Sequence, residues 1–331
     1  MKILYVTNMY PTKETPFDGV FIKEQVQYCH DKYNVDYKIF LIKRSGNKYL
    51  NYVKSIFQIM KINSKGNFDL IHVHFGLSGM FLFFKPFIKV PVVLTLHGCD
   101  VQSFKKKDGL LQKIGKMAAA NADRIIILND KMANILKMHQ AKSVKIPCGI
   151  NFEIFDQERN NLDNKSFLIG FPSNRKREVK NYPLFKAITD ALTNKGYNIE
   201  VIEFINFTRK EMASQLSKLD CLLMTSHSEG SPQIIKEAML CEVPIVTTKV
   251  GDVEFLLNGV KNCFVIDSFK PEPFVEKIKE VFILPPAGRK TNGKEKIKNL
   301  ELDQQSVCSN IYKVYKDLLS PRGDNKKFNY H

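Results

Sequence analysis

Two acidic residues eight positions apart, Glu229 and Glu237, frame the segment Ser226-His-Ser-Glu-Gly-Ser-Pro-Gln-Ile-Ile-Lys-Glu-Ala-Met239. An apolar run, Cys221–Thr225, precedes them, and Pro232 fits the first turn of a helix with Ser231 as its N-cap. Such a helix start offers free backbone N–H groups and the positive end of the helix dipole, which suits phosphate oxygens. Glu229, just ahead of the helix, can reach a sugar beside that phosphate. Glu237, about one and a half turns inside, is placed to hydrogen-bond a ribose diol. Two acids at this spacing arise readily by chance, and a capped surface helix is the plainer reading. The strand, glycine, proline and helix around the pair make it specific.

A second constellation supplies charge of the opposite sign. Phe171-Pro-Ser-Asn-Arg-Lys-Arg-Glu-Val-Lys-Asn181 brings Arg175, Arg177 and Lys180 into one loop after an apolar run. A departing diphosphate needs cations when no metal assists it; a solvated lysine-rich loop is the alternative. No two aspartates stand two residues apart, so a DxD metal site cannot be drawn. There is also no GxG dinucleotide fingerprint and no Walker A sequence. A bound pyrophosphate would be held by protein cations and backbone N–H groups, with no metal and no cofactor.

Three further groups stand at the ends of apolar runs. Val93-Leu-Thr-Leu-His-Gly-Cys-Asp100 places His97 and Asp100 where α/β sheets bind ligands, although a core histidine is an open alternative. Gly19 lies between the first run and its helix, where a glycine permits close backbone approach; a bare glycine opening that helix is the alternative. His72 and His74 share one face of a strand and mimic a metal pair. Without a carboxylate or third histidine nearby in sequence, buried hydrogen-bonded histidines are the expectation.

These groups must be positioned by a repeating α/β rhythm. Apolar runs at Ile3–Thr7, Tyr37–Ile42, Leu70–His74, Val92–Leu96, Arg124–Leu128 and Val144–Pro147 read as strands. Phe167–Phe171, Ile199–Ile205, Cys221–Thr225, Ile245–Thr248 and Asn262–Val265 continue the series. Many are unbroken β-branched runs, as in strands buried on both faces of a parallel sheet. Stretches of helical length, such as Val20–His30, Leu110–Asn121, Tyr182–Lys195 and Thr208–Leu219, lie between them. At 331 residues the chain is long enough for two domains. The expectation is two doubly wound α/β domains over 1–160 and 161–302, divided near the polar stretch 159–165. A last helix from Asp303 to Leu319 shows an apolar face of Val307, Ile311, Val314 and Leu318, and a polar tail follows over 320–331.

Composition narrows the setting. Seven cysteines form no CxxC pair, so neither a zinc knuckle nor a disulfide framework is indicated. The opening residues read as a buried strand rather than a signal peptide. Lysines and prolines interrupt the greasy stretch at 79–91, which is too short to span a bilayer. A cytoplasmic protein is expected, at most peripheral at the inner face of the cell membrane. The net charge is +16; residues 1–160 hold 24 Lys and Arg against 13 Asp and Glu, and residues 161–331 hold 26 against 21. Nucleic acid, anionic lipid and phosphorylated substrates all suit such a balance, as does a lysine-rich protein with no charged partner at all. No RNA-binding aromatic motif, zinc finger or helix-turn-helix pattern accompanies the charge, so nucleic acid is not the expected partner. Phe104 to Lys116 interleaves apolar residues with lysines, as in an interfacial helix against an anionic bilayer; an ordinary solvated helix is equally compatible.

The Glu229-x7-Glu237 arrangement, with Glu-Gly-Ser-Pro at its start and Glu-Ala-Met at its end, resembles the EX7E motif of family 4 retaining glycosyltransferases. That resemblance implies the GT-B fold, two Rossmann-like domains facing across a cleft, with the last helix crossing back onto the first domain. It implies a nucleotide-diphosphate sugar donor, with Glu229 on sugar hydroxyls, Glu237 on the ribose and the backbone of Gly230, Ser231, Pro232, Gln233 and Ile234 around the sugar and pyrophosphate. Arg177 and Lys180 would clamp the phosphates, with Arg175 the rival for the first role. His97 would lie near the transferred sugar and Asp100 on the acceptor side, while the Gly19 loop would approach the donor phosphate. Base contacts are expected around Phe204 to Phe207. Such enzymes are held to react on the donor's front face without a metal, the leaving phosphate helping to deprotonate the acceptor.

The resemblance runs through most of the chain in order, including Asp69-Leu-Ile-His-Val-His-Phe-Gly76 and Ile146-Pro-Cys-Gly-Ile-Asn151. Thr7-Asn-Met-Tyr-Pro-Thr12 and Ile22-Lys-Glu-Gln25 look like the teichuronic-acid and capsular-polysaccharide branch, whose acceptor would be a polyprenyl-diphosphate-linked saccharide. Two positions depart from the pattern: Cys99 replaces a small polar residue, and Glu242 stands where many relatives have glycine. If position 242 is left-handed, modest strain is expected there. A GT-B-fold UDP-sugar epimerase is the alternative within enzymes, and a basic nucleic-acid-binding protein the alternative outside them.

Overall fold

The computed structural model describes residues 1–98, 100–102, 109–158 and 166–320. Its contacts divide the chain between Gly149 and Ile150, and again between Asp303 and Gln304, so that the C-terminal helix joins the first unit. The stretch 159–165, where the sequence places the division, lies outside the described residues, as do Cys99 and the tail from 321.

In the first unit, β1 (Lys2–Thr7), β2 (Asp36–Leu41), β3 (Leu70–His74), β4 (Val92–Thr95), β5 (Arg124–Ile127) and β6 (Ser143–Lys145) form one parallel sheet. The strand order is β2-β1-β3-β4-β5-β6. The inner strands β1, β3, β4 and β5 are mostly buried because both faces are covered, whereas the edge strands β2 and β6 alternate polar and apolar residues. Leu4, Val6, Ile71, Val73 and Leu94 enter one core, while Ile3, Tyr5, Leu70 and Val93 enter the other.

The first core lies beneath α2 (Lys48–Lys65), a 3-10 segment Gly76–Phe87 and α3 (Gly109–Asn121), joined by Met132 of α4 (Asp130–Ile135). The second lies beneath α1 (Val20–Tyr33) and the C-terminal helix Gln304–Leu319, numbered α12 below. That helix inserts Val307, Ile311, Val314 and Tyr315 against β1. Tyr33 and Tyr312 stack at 4.3 Å between ring centroids.

The second unit begins with α5 (Phe152–Phe155). Its sheet has the order β11-β10-β9-β7-β8, all parallel, from β7 (Phe167–Phe171), β8 (Ile199–Glu203), β9 (Cys221–Met224), β10 (Ile245–Thr248) and β11 (Cys263–Ile266). One face carries α6 (Tyr182–Asn194) and α10 (Pro271–Ile283). The other carries α7 (Arg209–Leu216), α8 (Gln233–Leu240), α9 (Val253–Leu257) and α11 (Gly293–Asn299).

Local details differ from the sequence expectations for clear reasons. β6 stops at Lys145, before Pro147, which has no N–H to donate to a ladder. The N-cap of α8 is Pro232, with extended φ/ψ of −70° and 116°, so Ser231 does not cap this helix. Glu242 is left-handed at φ 54°, and its side chain reaches Lys290 at 2.9 Å. The Glu242 carbonyl accepts from Thr291 N at 3.2 Å, which ties this left-handed turn to the loop after the 3-10 segment Pro286–Arg289.

Candidate active site

In the second sheet β7 lies between β8 and β9, so the chain leaves β7 toward one side and returns on the other. The loops at the carboxyl ends of β7 and β9 therefore flank a topological switch point, the usual ligand position in an open α/β sheet. The β7 loop carries Arg175, Arg177 and Lys180; the β9 loop carries Glu229, Gly230 and Ser231. They are tied together by backbone: His227 N donates to Val179 O at 2.8 Å. Thr225 Oγ1 donates to both Lys180 O and Asn181 O at 3.1 Å.

Within that frame Lys180 Nζ donates to Glu229 Oε1 at 2.6 Å, and both side chains are largely buried. Arg177 is exposed, its Nη1 3.4 Å from Ser173 Oγ. Arg175 is engaged elsewhere: it pairs with Glu203 of β8 and lies 5.1 Å over the Tyr182 ring. That placement turns Arg175 toward β8, while Arg177 lies beside Ser173 in the loop that carries Lys180.

Glu237 is buried on α8 and accepts from Arg209 Nη1 at 2.5 Å. The Arg209 guanidinium is stacked 4.5 Å over Phe155. Phe207 and Phe204 meet edge to face at 5.9 Å between centroids, and Phe207 packs on the core beside Ile234. Ser231 Oγ is buried, and among the described residues it has no hydrogen-bond partner.

In the first unit the corresponding switch point lies between β1 and β3. Gly19 opens α1 with φ 65° and sits so close to the end of β1 that a Cβ there would be 2.5 Å from Met9 O. Only glycine combines that conformation with that approach. His97, after β4, is half-buried; its Nε2 is 3.1 Å from His74 Nδ1 and its Nδ1 4.0 Å from Cys148 Sγ. Dense packing around the rings pushes His97 and His72 down to about 3, and His74 well below its usual range, so all three are neutral at pH 7.

His72 lies between Tyr315 Oη at 2.6 Å and Thr95 Oγ1 at 2.7 Å, making it a hydrogen-bonded core histidine. His74 is also buried and bonded, through His97. Asp100 does not project as a free acceptor-side carboxylate. Its two oxygens accept from Gly76 N at 3.0 Å and His97 N at 2.6 Å. Burial raises its pKa to about 6 against the lowering effect of those bonds. It shapes the β4 loop that carries His97.

Two family models divide the chain between them: "Glycosyltransferase Family 4" matches residues 15–154, and "Glycosyl transferases group 1" matches residues 155–282. The chain is a glycosyltransferase, with a family 4 domain over 15–154 and a group 1 domain over 155–282. The putative teichuronic acid biosynthesis glycosyltransferase TuaC of Bacillus subtilis is 23% identical over 329 residues, covering 78% of this chain and 83% of that one. Sucrose-phosphate synthase from Thermosynechococcus elongatus superposes with a TM-score of 0.75 at 14% identity, over 96% of this chain and 98% of that one. HepE from Anabaena, solved with UDP-glucose, gives 0.69 at 14% identity, over 96% and 100%. At such identity these two structures establish the fold, which is GT-B.

The glycosyltransferase has candidate site residues that its sequence did not single out. Arg209, the first residue of α7, is one. Gly251, after β10, is another: at φ 58°, a Cβ there would be 2.5 Å from Gly230 O and 3.1 Å from Glu229 O. The only linear signals were a basic residue and a glycine following strands of the transferase, and many positions share those.

Proposed function

We propose that the glycosyltransferase takes a nucleotide-diphosphate sugar, UDP- or GDP-linked, on its second unit and transfers the sugar with retention to a polyprenyl-diphosphate-linked saccharide. The product would be a cell-surface polysaccharide or its lipid-linked precursor. The observation that carries this reading is the contact of Lys180 with Glu229 at the β7/β9 switch point. It puts a cation for a diphosphate beside a carboxylate for sugar hydroxyls.

In this reading Arg177 and Lys180 meet the charge that develops on the leaving diphosphate, in place of a metal. The backbone N–H groups of Gly230, Ser231, Gln233 and Ile234 and the buried Ser231 hydroxyl donate to phosphate and sugar oxygens. Glu237 binds the ribose diol, with Phe207 near the base. The bond from C1 to the β-phosphate oxygen breaks as the acceptor oxygen bonds C1 on the same face. The acceptor proton passes to the departing phosphate. His97 is assigned to the transferred sugar, and Asp100, accepting from His97 N, keeps that backbone in place. The likeness to TuaC and to a UDP-glucose complex supports the polysaccharide and donor readings.

A thermal-shift screen of UDP, GDP and their sugars, followed by a nucleotide-release assay and NMR of the product anomer, tests the reading. Stabilisation by a nucleotide sugar and a product of unchanged anomeric configuration are expected. Inversion would remove the front-face mechanism, and interconversion of sugar nucleotides without acceptor would make the protein an epimerase.

A further inference from the structure

One face of the first unit has an unusual composition. The elements over its first core, namely α2, the 3-10 segment Gly76–Phe87 and α3, run for 18, 12 and 13 residues. Together they contain seven lysines and not one aspartate or glutamate. All three bury side chains in the same core against the same sheet face, so their outer surfaces look to the same side.

Those outer surfaces are apolar as well as basic. On α2, Tyr52, Ile56 and Ile59 point inward, and the opposite stripe shows Leu50, Val53, Lys54, Phe57 and Lys61 to solvent. Phe57 is 68% exposed. The neighbouring 3-10 segment adds Phe83, Phe84 and Phe87, the last 72% exposed. On α3, Gly115, Ala118 and Ala119 are buried, while Leu110, at 65% exposure, and Met117 face outward beside Lys113 and Lys116. Nine of the sixteen large exposed hydrophobic residues among those described lie on these three elements. An apolar patch this concentrated marks an interaction surface.

We infer that this face docks on the headgroup region of an anionic lipid bilayer, with the phenylalanines and leucines entering the acyl boundary and the lysines among the phosphates. Charge complementarity selects this occupant. Lysines set among exposed aromatics are the pattern of interfacial binding. These three elements carry no acid to oppose anionic lipid, and the neighbouring Asp123 is paired with Lys85. Among the described residues no helix is long and apolar enough to cross a membrane, so this is contact from one side. The inference deepens the reading of a lipid-linked acceptor, since it brings the enzyme to the surface where such an acceptor resides. The sequence alone pointed to 104–116; residues 104–108 lie outside the described part, and the surface extends over α2 and the 3-10 segment.

Flotation of the full chain with vesicles of phosphatidylcholine, with and without phosphatidylglycerol, tests it. The chain is expected to float only with phosphatidylglycerol, and salt should weaken the binding. Phe57→Ser with Phe87→Ser should cut partitioning by about tenfold or more. Lys54→Gln with Lys61→Gln and Lys113→Gln should cut it by a similar factor and flatten the salt dependence. Each variant should unfold at the parental temperature and keep the parental thermal shift with the donor nucleotide. Failure to float with the phosphatidylglycerol vesicles overturns the inference, as does flotation that the variants leave unchanged. Self-association abolished by the phenylalanine changes, with no lipid binding, assigns the face to a second copy instead. Loss of nucleotide binding in the parent alone would remove the donor reading and leave the lipid surface standing.

Discussion

Lys180 and Glu229 meet at 2.6 Å with 9% and 16% of their side chains exposed, so each neutralises the other in a largely dry setting. Removing one partner of such a pair leaves an uncompensated charge, at a cost of about 3 kcal/mol. Lys180→Ala is therefore expected to lower stability by about that amount as well as weaken nucleotide binding. Lys180→Met combined with Glu229→Gln should regain most of the stability and none of the turnover. Urea unfolding and nucleotide release, measured on the same preparations, separate the two effects. Recovery of activity with stability would make the pair structural only.

Arg209 offers a parallel case on the other acidic residue. Its contact at 2.5 Å with Glu237, which is 2% exposed, fixes the carboxylate expected to hold the ribose. Arg209→Ala should weaken binding of the nucleotide by about tenfold or more and destabilise the unit by about 3 kcal/mol. Arg209→Lys should retain much of the stability but not the fork geometry. Isothermal titration with the donor nucleotide checks this; undiminished affinity in both variants would dismiss Arg209 as a positioning residue.

Gly251 tests backbone packing rather than charge. A Cβ at this left-handed position would be 2.5 Å from Gly230 O. Gly251→Ala should cost about 1–2 kcal/mol in the strained backbone and displace the Glu229 loop. The expected result is a raised donor KM in a chain that still unfolds cooperatively. An unchanged KM would show that the loop absorbs the displacement.

The buried histidines set a pH dependence. His72 titrates near 3 in the folded chain against an ordinary 6.5, because burial disfavours its charge. The unfolded chain therefore binds the extra proton between those values, and stability falls as pH drops through that window. From pH 6.5 to 5 the loss is about 2 kcal/mol, and His72→Gln should remove it from the difference curve. Asp100 acts in the opposite sense, with its pKa raised to about 6 from 3.8 by burial. Its penalty is absent at low pH and grows as pH rises through that interval, so Asp100→Asn should gain relative stability there. Relative to wild type, the urea midpoint of His72→Gln should rise as pH falls and that of Asp100→Asn as pH rises.

Legibility of the chain followed the range of the forces involved. Strands β3, β7 and β10 were readable to the residue, most plainly β7, where Phe167–Phe171 is apolar throughout and is bounded by Ser166 and Pro172. The Glu229 and Glu237 pair was readable because strand, glycine, proline and helix are local signals. Ser231 was misread as a cap, since whether it or Pro232 ends the extended backbone depends on how the loop packs, and spacing carries no such information.

The sequence by itself determined two parallel α/β sheets, a basic first half and the strand–glycine–proline–helix setting of Glu229 and Glu237, because periodicity and local backbone chemistry are written residue by residue. Only the tertiary structure decided that Lys180 rather than Arg175 meets Glu229, that Arg209 backs Glu237, and that Tyr315 closes on His72 across 243 positions. Those partners are chosen by strand order and by which loops emerge at one sheet edge. A linear pattern does not fix contacts that depend on packing in three dimensions.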